Sequence, residues 1–220
     1  GQVSLNASGT GFDSVKWKLI SGQGTFSDTL SLTPVFTLSQ VNRDSLIVIT
    51  VAAAGGYGCP VVRDTLKLSV IPQATAFAGD NGIVCESGSY QITGASVKDY
   101  FTYSWTVNGD GTLDNNSIIN PVYTPGQADI VNGSVILRLT AEGKSVCPDV
   151  SDETSIIIQK LPVSDAGTDQ EVCKSGNFIT TGSQMNGSSY QWISLGTGIF
   201  GNQSDLITTY FPSDADKDSG

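Results

Sequence analysis

Histidine is missing from this sequence of 220 residues, and methionine occurs only once. Without histidine, neither a Ser–His nor a Cys–His nucleophilic pair can be built. The four cysteines lie far apart without a Cys-x-x-Cys pair, so the common zinc-ligand patterns are missing as well. We therefore expect a protein that is not an enzyme and that binds neither a metal nor a cofactor.

Charged residues and long apolar runs are also scarce. Only 15% of the residues are charged, and the net charge of −10 disfavours nucleic acid and anionic lipid as partners. No run reaches the roughly 18 apolar residues of a membrane helix, and the first residues do not resemble a signal peptide. We interpret the sequence as an internal stretch of an exported chain, in which cysteines form structural disulfides.

What the sequence does contain is typical of strands and turns. There are 25 glycines, many β-branched residues and few strong helix formers. β-Branched side chains suit a pleated sheet, and glycine supplies the backbone conformations of tight turns. The composition therefore predicts an all-β fold.

The sequence repeats with a period of about 88 residues. Residues 78–88, which begin Ala-Gly and contain Cys-x-Ser-Gly, return as residues 166–176. A Pro-x-x-Ala-Asp turn occurs at residues 125–129 and again at residues 212–216. Three tryptophans, each followed by a Gly-x-Gly turn, recur at spacings of 88 and 87 residues: Trp17, Trp105 and Trp192.

We interpret each copy as an immunoglobulin-like β-sandwich, because the period is close to the roughly 100 residues of such a domain. Residues 1–73 then form a repeat without its first strand, residues 74–162 a complete repeat, and residues 163–220 a repeat without its last strands. Each tryptophan is predicted to lie in the core of its repeat, as in immunoglobulin-like sandwiches. In the complete repeat, alternation and turn residues predict strands at 82–85, 89–93, 101–107, 121–124, 134–141 and 154–160.

The motifs resemble a known family as a set. The Ala-Gly-x-Asp opening, the Tyr-x-Trp strand, the Gly-x-Gly-Thr turn and the Pro-x-x-Ala-Asp turn are similar to the PKD-like repeats of Bacteroidota surface proteins, in particular SprB-type gliding-motility adhesins. This resemblance implies type 9 secretion, attachment to the outer membrane as an extracellular filament, and weak multivalent contacts with an outside surface or polysaccharide. It also implies contacts with neighbouring repeats, and gliding or secretion machinery elsewhere in the parent protein. The first copy departs from the pattern, with Leu38 and Val41-Asn42 in place of the Pro and the Ala-Asp.

A second hypothesis is an accessory or carbohydrate-binding repeat region of a secreted polysaccharide-degrading enzyme. An aromatic cluster, Tyr100, Phe101 and Tyr103, could form a sugar platform, but alternation along a strand favours core packing. The carboxylates Asp110, Asp114 and Glu142, which a glycosidase pair would need, are interpreted as solvated loop residues. Two further carboxylates, Asp80 and Asp169, recur as turn residues, which we favour over a calcium site.

Residues 1–73 contain a pattern that resembles Bacteroidota O-glycosylation sites, an Asp followed by Ser or Thr and an aliphatic residue. Such pairs are also ordinary hairpin residues. The positions that the resemblance implies are Ser14, Thr29, Ser45 and Thr65.

The spacing of the cysteines supports more than one pairing. We favour a bond between Cys85 and Cys147 inside the complete repeat, with Cys59 and Cys173 bonded outside the sequence. The alternative pairs Cys59 with Cys85 and Cys147 with Cys173, but that arrangement requires the chain to double back. A third possibility is that Cys85 and Cys147 lie at opposite ends of the sandwich and each bonds a neighbouring repeat.

Overall fold

The structure is a computed structural model that describes residues 1–40, 45–56 and 58–219. In these residues there are 20 strands and two helices of six residues each. The predicted all-β class is confirmed.

Residues 1–69 form two three-stranded sheets, with strand orders β1-β4-β3 and β2-β5-β6. Every described pairing in them is antiparallel. The strands are β1 (Gln2–Ser4), β2 (Ser14–Ser21), β3 (Gly24–Phe26), β4 (Val35–Leu38), β5 (Leu46–Ala54) and β6 (Val62–Ser69).

The core of this segment follows from the period of two along its strands. In β2, Val15 and Trp17 are buried while Ser14, Lys16 and Lys18 are exposed, because successive side chains point to opposite faces. The buried cluster contains one residue from β2, one from β4 and two from β5, together with Leu5: Leu5, Trp17, Phe36, Ile47 and Ile49.

Residues 75–159 form three sheets, with strand orders β10-β7, β12-β13-β9 and β11-β14-β15-β8. Their strands are β7 (Thr75–Phe77), β8 (Gly82–Cys85), β9 (Tyr90–Gln91), β10 (Ser96–Lys98), β11 (Tyr100–Val107), β12 (Thr112–Leu113), β13 (Val122–Thr124), β14 (Ser134–Gly143) and β15 (Val150–Gln159). A short helix, α1 (Gln127–Asn132), precedes β14. Strand β8 pairs with β15 in parallel, and Gln159 lies opposite Cys85.

Strand β14 shows the clearest alternation. Val135, Leu137, Leu139 and Ala141 are each at most 2% exposed, and the residues between them are more accessible. β-Branched and aliphatic residues with this period are typical of a strand that covers a core on one face.

The predicted strands are close to the observed ones, with two kinds of difference. Strand β15 begins at Val150, four residues before the predicted start, because its first part is polar and gives no apolar signal. Three strands, β7, β10 and β12, were not predicted, since segments of two or three residues are too short to show alternation.

Residues 163–211 form two further sheets, with strand orders β16-β18 and β17-β20-β19. The strands are β16 (Val163–Asp165), β17 (Phe178–Ile179), β18 (Ser183–Met185), β19 (Ile199–Phe200) and β20 (Thr209–Phe211), and a second short helix follows, α2 (Asp214–Ser219).

Contacts between residues divide the chain into two compact units. One unit contains Gly1–Ala78, Ala95–Trp105 and Leu139–Asp152. The other contains Gly79–Gly94, Thr106–Arg138 and Glu153–Gly220. These units do not follow the predicted repeat boundaries, which stay a prediction.

No helix in the described part of the chain is both long enough and apolar enough to cross a membrane.

Candidate functional site

Asp129 is the only acidic side chain that is buried among the described residues, at 1% exposure. It lies on α1, which ends at Asn132 and is capped by Gly133. That glycine has a left-handed φ of 76°, and its N–H donates to the Asp129 carbonyl. The Asp129 carboxylate accepts two hydrogen bonds at Oδ2, from the Tyr123 hydroxyl at 2.5 Å and from the Gly111 N–H at 2.8 Å. A buried charge is tolerated only with such partners.

Asp110 holds the start of the same helix. Its carboxylate accepts hydrogen bonds from the Ala128 N–H at 3.0 Å and the Asp129 N–H at 3.1 Å. These hydrogen bonds lower the pKa of Asp110, and the bond from the Ala128 N–H has the largest effect. Asp110 is exposed, as expected, but its role is to cap the first turn of α1, which the sequence analysis missed.

The Gly-x-Gly turn has a steric explanation. A Cβ atom at Gly109 would overlap the Asp129 carboxylate, and one at Gly111 would overlap the Tyr123 ring. Only glycine leaves room for the buried carboxylate at both positions. We call this arrangement of Gly109, Asp110, Gly111, Tyr123 and Asp129 the Asp129 latch.

A similar arrangement occurs around Asp216, which is half-buried. The Tyr210 hydroxyl donates to Asp216 Oδ2 at 2.7 Å, and the Thr197 N–H donates to Oδ1 at 2.9 Å. The Thr197 N–H, followed by the Tyr210 hydroxyl, holds the pKa of Asp216 well below its usual range. A Cβ atom at Gly196 would overlap the Asp216 carboxylate, and one at Gly198 would overlap Tyr210. We call this the Asp216 latch.

Residues 1–69 contain an apolar counterpart. Phe36, which is fully buried, takes the place of the tyrosine, and a Cβ atom at Gly24 would overlap its ring. Its ring centroid lies 4.9 Å from that of Phe26. The predicted departures Val41 and Asn42 lie outside the described residues. The loss of the tyrosine hydroxyl therefore accompanies the loss of the Ala-Asp pair in the sequence of this copy.

The three tryptophans differ in burial. Trp17 and Trp105 are 5% and 1% exposed, and Trp192 is half-buried. The indole N–H of Trp17 donates to the Ser31 carbonyl, and that of Trp192 donates to the Asp205 carbonyl. The indole N–H of Trp105 is buried without a hydrogen-bond partner among the described residues.

No disulfide joins the four cysteines in this structure, and the predicted pairings stay predictions. Strand β15 separates the two cysteines of the favoured bond, Cys85 and Cys147. Cys147 lies three residues before the start of β15, and Cys85 lies opposite Gln159 at its end. A strand of ten residues spans about 30 Å, whereas a disulfide needs sulfur atoms about 2 Å apart.

The predicted glycosylation positions also differ in access. Ser14, Thr29 and Thr65 are exposed. The hydroxyl of Ser45 is buried, without a hydrogen-bond partner among the described residues, so it does not offer its oxygen to an enzyme.

The aromatic cluster on β11 is divided between core and surface. Trp105 is buried and Tyr103 is half-buried, with its ring centroid 5.3 Å from that of Tyr100. Phe101 is 75% exposed. Core packing therefore accounts for Trp105, and Phe101 remains available at the surface.

An open cleft of about 930 Å³ lies beside β6. Its lining includes Phe12, Trp17, Leu66 and Leu68. In the repeat register, β6 is the counterpart of β15. Strand β15 is paired on both edges, by β14 and by β8, whereas β6 is paired by a described strand on one edge only, by β5. The cleft thus lies at the edge where a strand like β8 would pack.

No group of three or more metal-ligating side chains occurs in the described part of the chain, which includes Asp80 and Asp169.

Comparison with solved structures supports an immunoglobulin-like repeat fold. A three-Ig structure of titin, an E-to-A mutated variant, matches 98% of this chain and 84% of its own with a TM-score of 0.50 at 11% identity. An I-band fragment of titin matches 96% of this chain and 81% of its own (TM-score 0.45, 11% identity), and four protocadherin gamma B7 domains match 96% and 62% (TM-score 0.45, 9% identity). No family model matches the sequence, and no curated protein matches it significantly. The predicted class, tandem immunoglobulin-like β-sandwich repeats, is confirmed.

The Asp129 latch predicts coupling between Gly109 and Asp129. Asp129→Ala should lower the free energy of unfolding by about 3 kcal/mol, since the Tyr123 hydroxyl and the Gly111 N–H lose a charged acceptor. Gly109→Ala should also destabilise the fold, but in the Asp129→Ala background it should cost much less, because the carboxylate that it displaces is already gone. Urea unfolding of the four variants measures this coupling. Gly88→Ala is the matched control, since its Cβ would have no neighbour closer than 3.5 Å; strictly additive costs would contradict the latch.

Tyr123 predicts sensitivity to alkali. Burial, together with the hydrogen bond to Asp129, raises the pKa of Tyr123 well above its usual value of about 10. Above a pH of about 10, Tyr123 loses its proton in the unfolded chain but keeps it in the folded one. The free energy of unfolding should therefore fall as the pH rises. Thermal unfolding between pH 8 and 11 measures the slope. Tyr123→Phe should flatten it and Tyr103→Phe should not; an unchanged slope in Tyr123→Phe would show that other groups cause the loss.

Glycosylation predicts a mass difference. If the resemblance to O-glycosylation sites holds, the chain isolated from its native source should exceed the sequence mass, with sugar on Ser14, Thr29 or Thr65 and none on Ser45. Intact-mass spectrometry followed by peptide mapping tests both points. A native mass equal to that of the bare chain would remove the hypothesis.

Proposed function

We propose that this chain is a structural, non-enzymatic stretch of repeats in an extracellular surface adhesin. The observation that carries the proposal is the recurrence of the latch. In both latches a tyrosine hydroxyl donates to the buried or half-buried carboxylate, Tyr123 to Asp129 and Tyr210 to Asp216. A backbone N–H of the Gly-x-Gly turn donates as well, from Gly111 in the first latch and from Thr197 in the second. The recurring tyrosine and Ala-Asp pair therefore serve the internal packing of the two repeats that contain them.

In residues 74–162 the recurring tryptophan, tyrosine and aspartate are poorly placed for binding. Trp105, Tyr123 and Asp129 are each at most 1% exposed, so a ligand outside the repeat does not reach them. An enzyme or a receptor domain would be expected to repeat an exposed constellation instead. Units whose recurring tyrosine–aspartate contact lies inside the fold are suited to setting a length and displaying surfaces along it.

The finer assignment rests on the resemblance to Bacteroidota repeats. By that resemblance, the parent protein is secreted by the type 9 system, is displayed as a filament on the outer membrane and takes part in gliding motility. Weak contacts of many repeats with an outside polysaccharide would add up to firm attachment, because linked sites bind with a high effective concentration.

A second candidate is a carbohydrate-binding accessory region of a secreted polysaccharide-degrading enzyme. The observation that favours it is Phe101, which is 75% exposed on β11, the strand that also carries the aromatic pair Tyr100 and Tyr103. An exposed aromatic side chain can stack on a sugar ring.

Antibodies raised against the chain distinguish these functions. In the source organism they should label intact cells without permeabilisation, and monovalent Fab fragments should reduce attachment to a polysaccharide-coated surface. Their target in an immunoblot should be a very large protein, since a filament contains many repeats.

The control is a Fab against an unrelated outer-membrane protein, which should label cells equally and leave attachment unchanged. Labelling that requires permeabilisation would contradict a surface adhesin. A released protein with hydrolase activity, together with loss of polysaccharide binding in Phe101→Ala, would favour the accessory region.

A further inference from the structure

Cys147 lies against the segment that leads into its own repeat. Its thiol is 3.6 Å from the Ile71 carbonyl oxygen. Ile71 lies four residues before β7, which begins at Thr75. The carbonyl four residues before the first strand of a repeat is therefore a neighbour of the Cys-Pro cysteine of that repeat.

The corresponding carbonyl one period later is that of Gln159. Strand β16 begins at Val163, four residues after Gln159. Gln159 lies opposite Cys85 in the parallel ladder between β8 and β15, and its carbonyl accepts the Glu86 N–H at 2.8 Å. The carbonyl that precedes a repeat is thus also a neighbour of the β8 cysteine of the repeat before it.

From these two contacts we propose that consecutive repeats are joined by a disulfide between the β8 cysteine of one repeat and the Cys-Pro cysteine of the next. Cys85 and Cys147 belong to different bonds of this kind. Cys85 would bond the copy of Cys147 in the following repeat, and Cys147 would bond the copy of Cys85 in the preceding one. This proposal does not depend on the proposed function.

The position of the two thiols fits this bond. Cys85 and Cys173 are exposed, and Cys147 is half-buried. The Ser87 hydroxyl and backbone lower the pKa of Cys85, which favours the thiolate. The bond inside a repeat is prevented by the length of β15, and a bond between consecutive repeats does not have to span that strand.

The chemistry requires a disulfide oxidant such as oxidised glutathione. One protein thiolate attacks the oxidant, forms a mixed disulfide and releases the first glutathione thiolate. The second protein thiolate then attacks the protein sulfur of the mixed disulfide and releases the second. Two protein thiols are oxidised, their protons pass to solvent or to the glutathione thiolates, and one oxidised glutathione is reduced to two molecules of glutathione.

The test supplies each missing partner by extending the full chain. In the first variant, a copy of residues 74–87 is added before Gly1. Gly1 then corresponds to Gly88, because Val3 pairs with Phe36 in the same way that Tyr90 pairs with Tyr123. In the second variant, residues 134–162 follow Gly220, which takes the place of Gly133 in the repeat. Both are folded in a glutathione redox buffer and mapped by non-reducing peptide mass spectrometry.

The first variant should contain one disulfide, between the added cysteine and Cys147, and the second variant should contain one between its added cysteine and Cys85. The matched controls, Cys147→Ser in the first variant and Cys85→Ser in the second, should leave the added cysteine unpaired within the protein. Circular dichroism verifies that each variant is folded. A folded variant whose added cysteine stays reduced, or bonds a different cysteine, would overturn the proposal; if one extension does not fold, the other decides the question.

Discussion

The buried carboxylate of Asp129 is the constraint on which the surrounding structure depends. An ion at 1% exposure must be compensated, and the Tyr123 hydroxyl and the Gly111 N–H provide that compensation. Its volume excludes any side chain at Gly109, and α1 supplies the backbone that presents it. Motifs that lie up to 20 residues apart in the sequence are therefore parts of one arrangement, and a change in any of them affects the others.

The sequence was sufficient for the fold class because its signals are local. The alternation in β14 and the 88-residue period of Trp17 and Trp105 need no knowledge of distant contacts. The latch could have been found by noticing that the tyrosine and the Ala-Asp pair disappear together in the first copy, where Phe36 stands. The role of Asp110 could not, because a carboxylate after a glycine looks the same whether it faces water or caps a helix.

The cysteine pairing depends on information of a different kind. The length of the loop that a disulfide closes determines how much entropy the unfolded chain loses. By that criterion a bond between Cys85 and Cys147 is favourable, but the criterion contains no information about where the ends of the strands lie. Parallel pairing of β8 with β15 places the two thiols at opposite ends of one strand, which only the topology reveals. The same ladder places Cys85 opposite Gln159, and the Cys147 thiol lies 3.6 Å from the Ile71 carbonyl oxygen.

Phe36 gives the first copy a different chemical character from the other two. Its ring fills the space beside Gly24 without exchanging a proton, whereas Tyr123 and Asp216 are both ionisable and have displaced pKa values. An array that mixes the two types would not respond uniformly to its surroundings. In strongly acidic or alkaline medium the units that contain a latch would lose stability first, while units of the Phe36 type would keep their packing. The positions that become flexible would then be set by which repeats carry the tyrosine and the aspartate.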